Sequence, residues 1–187
     1  MRHDRRLTEA GLAALTAGLM AVTALVVTAS AASAEQVVVK MNAISASGVG
    51  EPIGTVTLSD SPEGMKLAFN LRHMPPGDHG AHIHENPNCG PAEKDGQMVA
   101  GLAAGDHYDP NHTGHHMGPS GAGHMGDLEV VSIDPSGMDT EITTAKRLHV
   151  SDVRGRALMI HDKADNYTDT PPNGGGGARI ACGVIPK

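Results

Sequence analysis

Short runs in which apolar and polar residues alternate recur along most of the chain, separated by Gly, Pro, Asn and Asp. Alternation with a period of two is typical of a β-strand with one buried face. Beyond the N-terminal segment, no stretch keeps a helical spacing of apolar residues. The pattern predicts an all-β domain, an antiparallel sandwich or barrel. The eight predicted strands are 36–44, 53–60, 64–72, 80–85, 127–134, 139–145, 156–162 and 178–185.

The N-terminal segment has a different pattern. Residues 1–6 are basic, residues 11–29 are apolar, and the run ASA at 32–34 offers a small-residue cleavage site. This layout is typical of a secretory signal peptide. We therefore expect a signal peptide at 1–34 and one exported domain at 35–187, in the periplasm or outside the cell. Because the apolar run is longer than usual, an uncleaved membrane anchor is the alternative; after cleavage no stable membrane contact is expected.

The amino-acid composition excludes some classes of binding partner and indicates which residues form the core. The formal net charge is −7, which argues against binding nucleic acid or an anionic membrane surface. Aromatic residues make up only 2% of the chain, so Val, Ile, Leu and Met must fill the core. The two cysteines, Cys89 and Cys182, would meet an oxidising compartment after export, where a disulfide is expected. Two buried free thiols are the alternative.

Two connections are too long for hairpins: 86–126 and 163–178. Long connections in a compact β-domain usually carry function or are disordered. The first holds many of the histidines, and the second ends in NGGGGAR. We therefore place the functional site in these two connections.

The segment HGAHIHENPNC, residues 79–89, concentrates three histidines in six positions. In a strand, side chains two residues apart point to the same side. His82 and His84 can therefore converge on one ion while Ile83 enters the core. His79 precedes a glycine where the chain turns, so we expect it to form structural hydrogen bonds rather than bind metal.

A second histidine-rich stretch, GDHYDPNHTGHHMGPSGAGHMGDL, lies in the first long connection, and MIHDKADN follows at the end of a later strand. The supply of ligands exceeds what one four-coordinate ion needs, so two ions are expected. Imidazole sets suit copper, and imidazole with carboxylate suits zinc. The candidate ligands here are His107, His112, His115, His116, His124, Asp127 and His161.

These motifs, with GGGGARIACGVI near the C-terminus, resemble the copper/zinc superoxide dismutases, especially their exported bacterial branch. The match begins near residue 37 and keeps the family's motif order. The resemblance implies an eight-stranded antiparallel Greek-key β-barrel with two long functional loops. It implies copper ligands His82, His84, His107 and His161, and zinc ligands His107, His116, His124 and Asp127.

The resemblance also implies how the site works. His107 would bridge the two metals, and Asp165 would accept hydrogen bonds from His82 and His116. Superoxide would be converted to oxygen and hydrogen peroxide by a redox-cycling copper beside a structural zinc, with one ion of each per subunit. Arg179 is similar to the family's anion-docking arginine, and Lys94 to a substrate-steering lysine, although a solvated surface lysine is nearly as good an interpretation. A disulfide between Cys89 and Cys182 would pin the loop that holds Arg179. A homodimer is allowed.

Other interpretations remain open. The surplus His112 and His115 would suit an exported metal buffer without turnover, or could hold extra metal at the loop surface. A zinc hydrolase is disfavoured because no general-base glutamate stands near the zinc motif. His73 and His149 are expected at the surface. The methionines at 74, 98, 117 and 125 are expected to fill gaps in the core rather than relay copper.

Overall fold

A computed structural model describes residues 36–187, and the predicted signal peptide lies outside them. The described chain is built from strands, with a single one-turn α-helix, α1 (Val150–Val153), and two short 3-10 turns, Leu102–Ala104 and Pro172–Gly175. Within it, no helix is long and apolar enough to span a membrane. The strands are β1 (Gln36–Ser45), β2 (Gly48–Ser61), β3 (Gly64–Leu71), β4 (Gly77–His79), β5 (Ala81–His84), β6 (Ala92–Lys94), β7 (Gln97–Val99), β8 (Val131–Ile133), β9 (Ile142–Ala145), β10 (Ala157–His161) and β11 (Arg179–Val184).

Seven strands form one antiparallel sheet in the order β5-β10-β11-β1-β2-β3-β9. β4 pairs with β8, and β6 with β7. Pairing sets His82 opposite Met159 and His161 opposite Arg179, so three neighbouring strands carry site residues. The Ile83 backbone pairs on its other side with Tyr108 and Gly126, each hydrogen bond 2.8 Å long. β5 is therefore held between β10 and the long connection.

Aliphatic side chains fill the core. Leu58, Ile83, Leu158 and Ile160 have no exposed surface, and Phe69 is the aromatic residue of the same cluster. The alternation of buried and exposed positions along β1 matches the period-two pattern of the sequence. The prediction of an all-β domain with an aliphatic core is confirmed.

The Cys89–Cys182 disulfide is present, as predicted. It lies in a smaller apolar cluster with Ala104 and Met159, separate from the main core. Because Cys182 belongs to β11, the bond anchors the start of the long connection to the sheet three residues from Arg179. Segment 89–104 is thereby held beside the site.

Each of the eight predicted runs contains a strand, but the structure adds three strands that were not predicted. β4 is one, and the β6–β7 hairpin inside the connection 86–126 supplies the other two. The hairpin turns at Asp95 and Gly96, which have φ of 53° and 78°. An Asp-Gly pair with both φ positive is the usual two-residue hairpin turn, so the sequence carried this signal.

The methionine prediction is correct at two positions and wrong at two. Met74 lies in the core and Met125 packs against it. Met98 and Met117 are each 50% exposed. The hairpin carries Met98 away from the sheet, and the second half of the long connection, residues 105–126, carries Met117; we call residues 105–126 the outer loop. His73 and His149 are exposed, as predicted.

Candidate metal centre

Four buried histidines meet at one edge of the sheet. His82 and His84 lie on β5, His161 ends β10, and His107 follows the 3-10 turn and forms a bridge with His84. Their candidate donor atoms all lie within 4.8 Å of one another. None of the four is more than 6% exposed. We call them the four-histidine set.

In three of these rings, one nitrogen donates a hydrogen bond to an acceptor, and the other nitrogen has no hydrogen-bond partner. His84 Nδ1 and His161 Nδ1 donate to backbone carbonyl oxygens at 2.9 and 3.3 Å. His82 Nε2 donates to Asp165 Oδ2 at 2.6 Å. These acceptors fix the proton, so the opposite nitrogens keep a lone pair. His82 Nδ1, His84 Nε2 and His161 Nε2 are buried without a partner, as expected of nitrogens that a metal ion would occupy.

Asp127 is the centre of a second group. Its Oδ1 lies 3.1 Å from His107 Nδ1, 3.0 Å from His116 Nδ1 and 3.5 Å from His124 Nδ1. Neither His116 Nδ1 nor His124 Nδ1 has a well-directed hydrogen bond. We call these four residues the Asp127 set. Three imidazoles and a carboxylate are a donor set that fits zinc.

The second group is less compact than the first. Donor atoms of His107, His116 and Asp127 lie within 4.8 Å of one another, and the neighbouring His82 falls within the same limit. His124 lies at the edge of the Asp127 set and is 9% exposed, the largest exposed fraction of its four members. Because Asp165 holds His82 Nε2, His82 has only Nδ1 to offer and can serve one ion. His124, with its unpartnered Nδ1, is the better fourth member here.

His107 belongs to both sets. Its Nδ1 faces Asp127, and its ring stacks on His82 with centroids 3.9 Å apart. An imidazole has two nitrogens on opposite sides, so Nε2 remains for the four-histidine set. His82 and His116 cannot serve both sets in this way, because Asp165 holds the Nε2 of each.

Asp165 joins the two sets through hydrogen bonds. Its Oδ2 accepts from His82 Nε2 at 2.6 Å, and its two oxygens lie 2.8 and 2.9 Å from His116 Nε2. The backbone N–H of Tyr167 donates to Oδ1 at 2.7 Å. Gly174 closes over this contact with φ of 71°, and a Cβ there would collide with Asp165 and His116. Part of the NGGGG motif is therefore explained by the space beside Asp165.

Protonation differs between the two sets. Burial, with the neighbouring His107 ring, lowers the pKa of His82 and His84 well below the usual value and that of His161 to about 4. These rings are neutral at pH 7, the form that binds metal. Burial also opposes charge on His116, but the close Asp127 carboxylate and the hydrogen bond to Asp165 raise its pKa to about 9.

The two carboxyl groups are ionised. Burial opposes their charge, but imidazole hydrogen bonds hold the pKa of Asp127 and of Asp165 well below its usual range. His116 therefore lies as an imidazolium between two carboxylates in the metal-free protein.

Arg179 lies half-buried beside the four-histidine set. Its guanidinium donates to the Gly101 and Gly105 carbonyl oxygens at 2.7 and 2.8 Å. The Gly105 oxygen also accepts from His84 Nδ1, so one carbonyl fixes both the imidazole and the cation. The charge of Arg179 contributes to the lowered pKa of His84 and His161.

Three residues singled out from the sequence lie outside both sets. Lys94 is exposed on β6 beside the hairpin turn. His112 and His115 are exposed in the outer loop, where His115 Nδ1 contacts Asp169 at 2.9 Å. Neither histidine belongs to a compact metal-binding group of the described residues 36–187.

Sequence reasoning missed Arg147. Its side chain donates to the carbonyl oxygens of Pro119 and Gly123, each at 3.0 Å, and of Gly118 at 3.2 Å. It also donates to the His124 carbonyl oxygen. Four carbonyls from one loop thus converge on a single guanidinium. No local pattern indicates this role, because the partners lie more than twenty residues away.

Comparison with known proteins gives one consistent family. The family model for copper/zinc superoxide dismutase matches residues 52–185. A superoxide dismutase [Cu-Zn] of Brucella abortus is 48% identical over 163 residues, covering 86% of this chain and 94% of the relative. The superoxide dismutase [Cu-Zn] of Escherichia coli K12 is 45% identical over 168 residues, covering 89% and 96%.

Solved structures agree. The Cu/Zn superoxide dismutase from Brucella abortus superposes with a TM-score of 0.79 at 49% identity, covering 81% of this chain and 99% of that chain. The monomeric copper, zinc superoxide dismutase from Salmonella enterica gives a TM-score of 0.74 at 51% identity, with the same coverage.

Arg147 should matter for the loop that carries His116 and His124. In Arg147→Lys, one ammonium cannot satisfy four carbonyls, so we expect zinc affinity to fall on the order of tenfold. Proteolysis of residues 118–124 should accelerate, while copper binding changes less. Competitive titration with a zinc chelator measures the first effect. Arg72→Lys, at an exposed arginine, is the matched control, and equal affinities in both variants would remove Arg147 from this role.

Zinc binding should release a proton from His116. Because its pKa of about 9 lies above neutral pH, zinc must displace the proton from Nδ1. Apparent zinc affinity should therefore rise by roughly tenfold per unit between pH 6 and 8, and level off as pH passes the pKa. Calorimetric titration at pH 7 in buffers of different ionisation enthalpy should give about one released proton. A count of zero would contradict the assigned charge state.

Proposed function

This chain belongs to the copper/zinc superoxide dismutase family, and from that premise we propose that His107 joins its two metal ions through the two nitrogens of one ring. Family membership makes the protein an oxidoreductase that uses copper and zinc. The observation that carries the proposal is the set of buried, unpartnered nitrogens on either side of His107.

The positions of the donor atoms support one ligand set for each metal. In our proposal copper binds the four-histidine set: His82 through Nδ1, and His84, His161 and His107 through Nε2. Zinc binds Oδ1 of Asp127 and the Nδ1 atoms of His107, His116 and His124. The neutral rings of the first set suit copper, and the mixed set suits zinc.

Copper, when bound, supplies one-electron redox chemistry, by which one superoxide is oxidised to oxygen and a second is reduced to hydrogen peroxide. Zinc has no redox chemistry and serves a structural role. The chain's own residues position the reactants. Nε2 of His107 can hold a proton that the peroxide product needs, while Nδ1 remains with the Asp127 set.

Arg179 is proposed to bind the superoxide anion. The whole chain carries a net charge of −7, so an anionic substrate needs a local cation at the site. The guanidinium is fixed by two carbonyls and lies beside His84 and His161. Lys94 is exposed and is proposed only to add long-range attraction.

A metal buffer without turnover is the competing function. Storage requires neither a guanidinium fixed beside the copper ligands nor a carboxylate shared between the sets. Metal analysis of the purified protein together with a superoxide-decay assay separates the two: stoichiometric copper and zinc without superoxide decay would favour the buffer.

We also propose that the protein is exported and that residues 1–34 are removed. Support comes from the basic, apolar and small-residue layout, from the disulfide, and from bacterial relatives. The oligomeric state stays a prediction, with a homodimer allowed. Intact-mass analysis of protein from the periplasm or medium should give a chain beginning at Glu35 with both cysteines oxidised. A retained 1–34 segment or two alkylatable thiols would contradict this.

Arg179→Ala tests the enzyme most sharply. Arginine does not ligate the metals, so copper and zinc contents should stay at the wild-type level. Turnover should fall by 10-fold or more, and inhibition by small anions should weaken, because the binding cation is lost. Arg179→Lys should recover part of both effects. Wild-type activity in Arg179→Ala would exclude it as the anion-binding residue.

A further inference from the structure

A surface cavity of about 320 Å³ opens beside the Asp127 set and is not explained by dismutation. Two members of that set, His107 and His124, line it from within, and both are buried. The outer part of the lining carries carboxylate and imidazole side chains, both of which bind metal ions. These are Glu85, Asp106, Asp109 and His112, which we call the acidic vestibule.

The charge of the acidic vestibule favours a cation. It presents three carboxylates and one imidazole. Arg156 lines the adjoining depression but not the vestibule. Its guanidinium is stacked 3.6 Å from the Tyr108 ring and donates to the Glu85 carbonyl oxygen. The cavity therefore attracts divalent cations and repels superoxide.

The carboxylate of Asp109, a residue that lines the cavity, is held in a fixed position. Its Oδ2 accepts from the Gly114 N–H at 2.8 Å and from Thr113 Oγ1 at 3.1 Å, which fixes the carboxylate. Its Oδ1 is buried and has no hydrogen-bond partner. His112 follows at φ 52°, and its N–H donates to the Asp109 carbonyl oxygen, so a tight turn joins two residues that both line the cavity.

The vestibule residues do not form a compact cage. Among residues 36–187, only the two groups within the buried centre bring three or more donors within 4.8 Å. Glu85 and His112 are exposed, so they can bind a hydrated cation only loosely. Loose binding suits capture and transfer, because an ion held tightly at the rim would not move on to His124.

We propose that the acidic vestibule captures hydrated divalent zinc and passes it to His124 and His107, so that zinc loads through this cavity. The proposal rests on the zinc ligands proposed above. Under this proposal zinc and superoxide reach the metal centre by different routes. The zinc cation enters past Asp109 and His112, whereas the superoxide anion approaches past Arg179.

The test measures how fast zinc loads into the metal-free, disulfide-bonded protein. Zinc is mixed with protein at low ionic strength, excess chelator stops the reaction at set times, and retained zinc is counted by native mass spectrometry. In the variant Glu85→Gln/Asp109→Asn/His112→Asn, the association rate constant should fall about tenfold or more and lose most of its salt dependence. Asparagine tolerates the positive φ at 112. Zinc content at saturation should stay at the wild-type level.

The matched control is Glu93→Gln/Asp95→Asn/His115→Asn, which removes the same groups outside the cavity and should load at the wild-type rate. The single variant His112→Asn, at an exposed side chain, covers the case in which the triple variant misfolds, and should load several-fold more slowly. Equal rates in the vestibule and control variants would overturn the proposal. So would a wild-type rate that is independent of zinc concentration, because loop opening would then limit loading. If the wild-type protein retains no zinc at saturation, the proposed zinc ligands fail instead.

Discussion

The carboxylate of Asp165 is the contact on which the geometry of both metal-binding sets depends. It holds one imidazole of each set by Nε2, the nitrogen opposite the proposed metal-binding Nδ1, and so fixes the tautomer and direction of His82 and His116. Because a buried carboxylate needs donors on every side, the backbone around it is shaped to supply them, with Tyr167 N–H on one oxygen and Gly174 closing above. The loop 162–178 therefore supports both candidate sets, although none of its residues belongs to either set.

The two sets are supported differently. The four-histidine set is supported mainly by the sheet, because strands β5 and β10 carry three of its members. Backbone carbonyl oxygens orient two of those three rings. The Asp127 set depends on the outer loop, whose backbone is held by Arg147 through four carbonyls and by Asp127 through the N–H groups of Met117 and Gly118. This difference explains why the outer set should be the more sensitive to any loss of loop order.

The sequence predicted much of this arrangement, for reasons that differ between residues. Period-two spacing was enough to place His82 and His84 together and Ile83 in the core. The partition of ligands between metals, and the part of Asp165, came from resemblance, since no local spacing brings residue 165 to residue 116. The role of Arg147 could not be predicted from the sequence, because its contacts form only in the tertiary structure. The β6–β7 hairpin is signalled only by Asp95-Gly96, because each of its strands has three residues, too few to show a period-two pattern.

The zinc affinity of Asp165→Asn measures whether Asp165 links the two sets. Asparagine keeps one acceptor oxygen but turns an NH₂ donor toward an imidazole N–H, so one of the two rings loses its anchor. The structure predicts that competitive chelator titration will find zinc affinity lowered by about 10- to 100-fold and copper affinity lowered less, because His84 and His161 keep their backbone acceptors. Proteolysis between 107 and 127 should also accelerate, with Asp78→Asn, at an exposed position of β4, as control. Unchanged zinc affinity and cleavage rate would mean that Asp165 does not link the two sets.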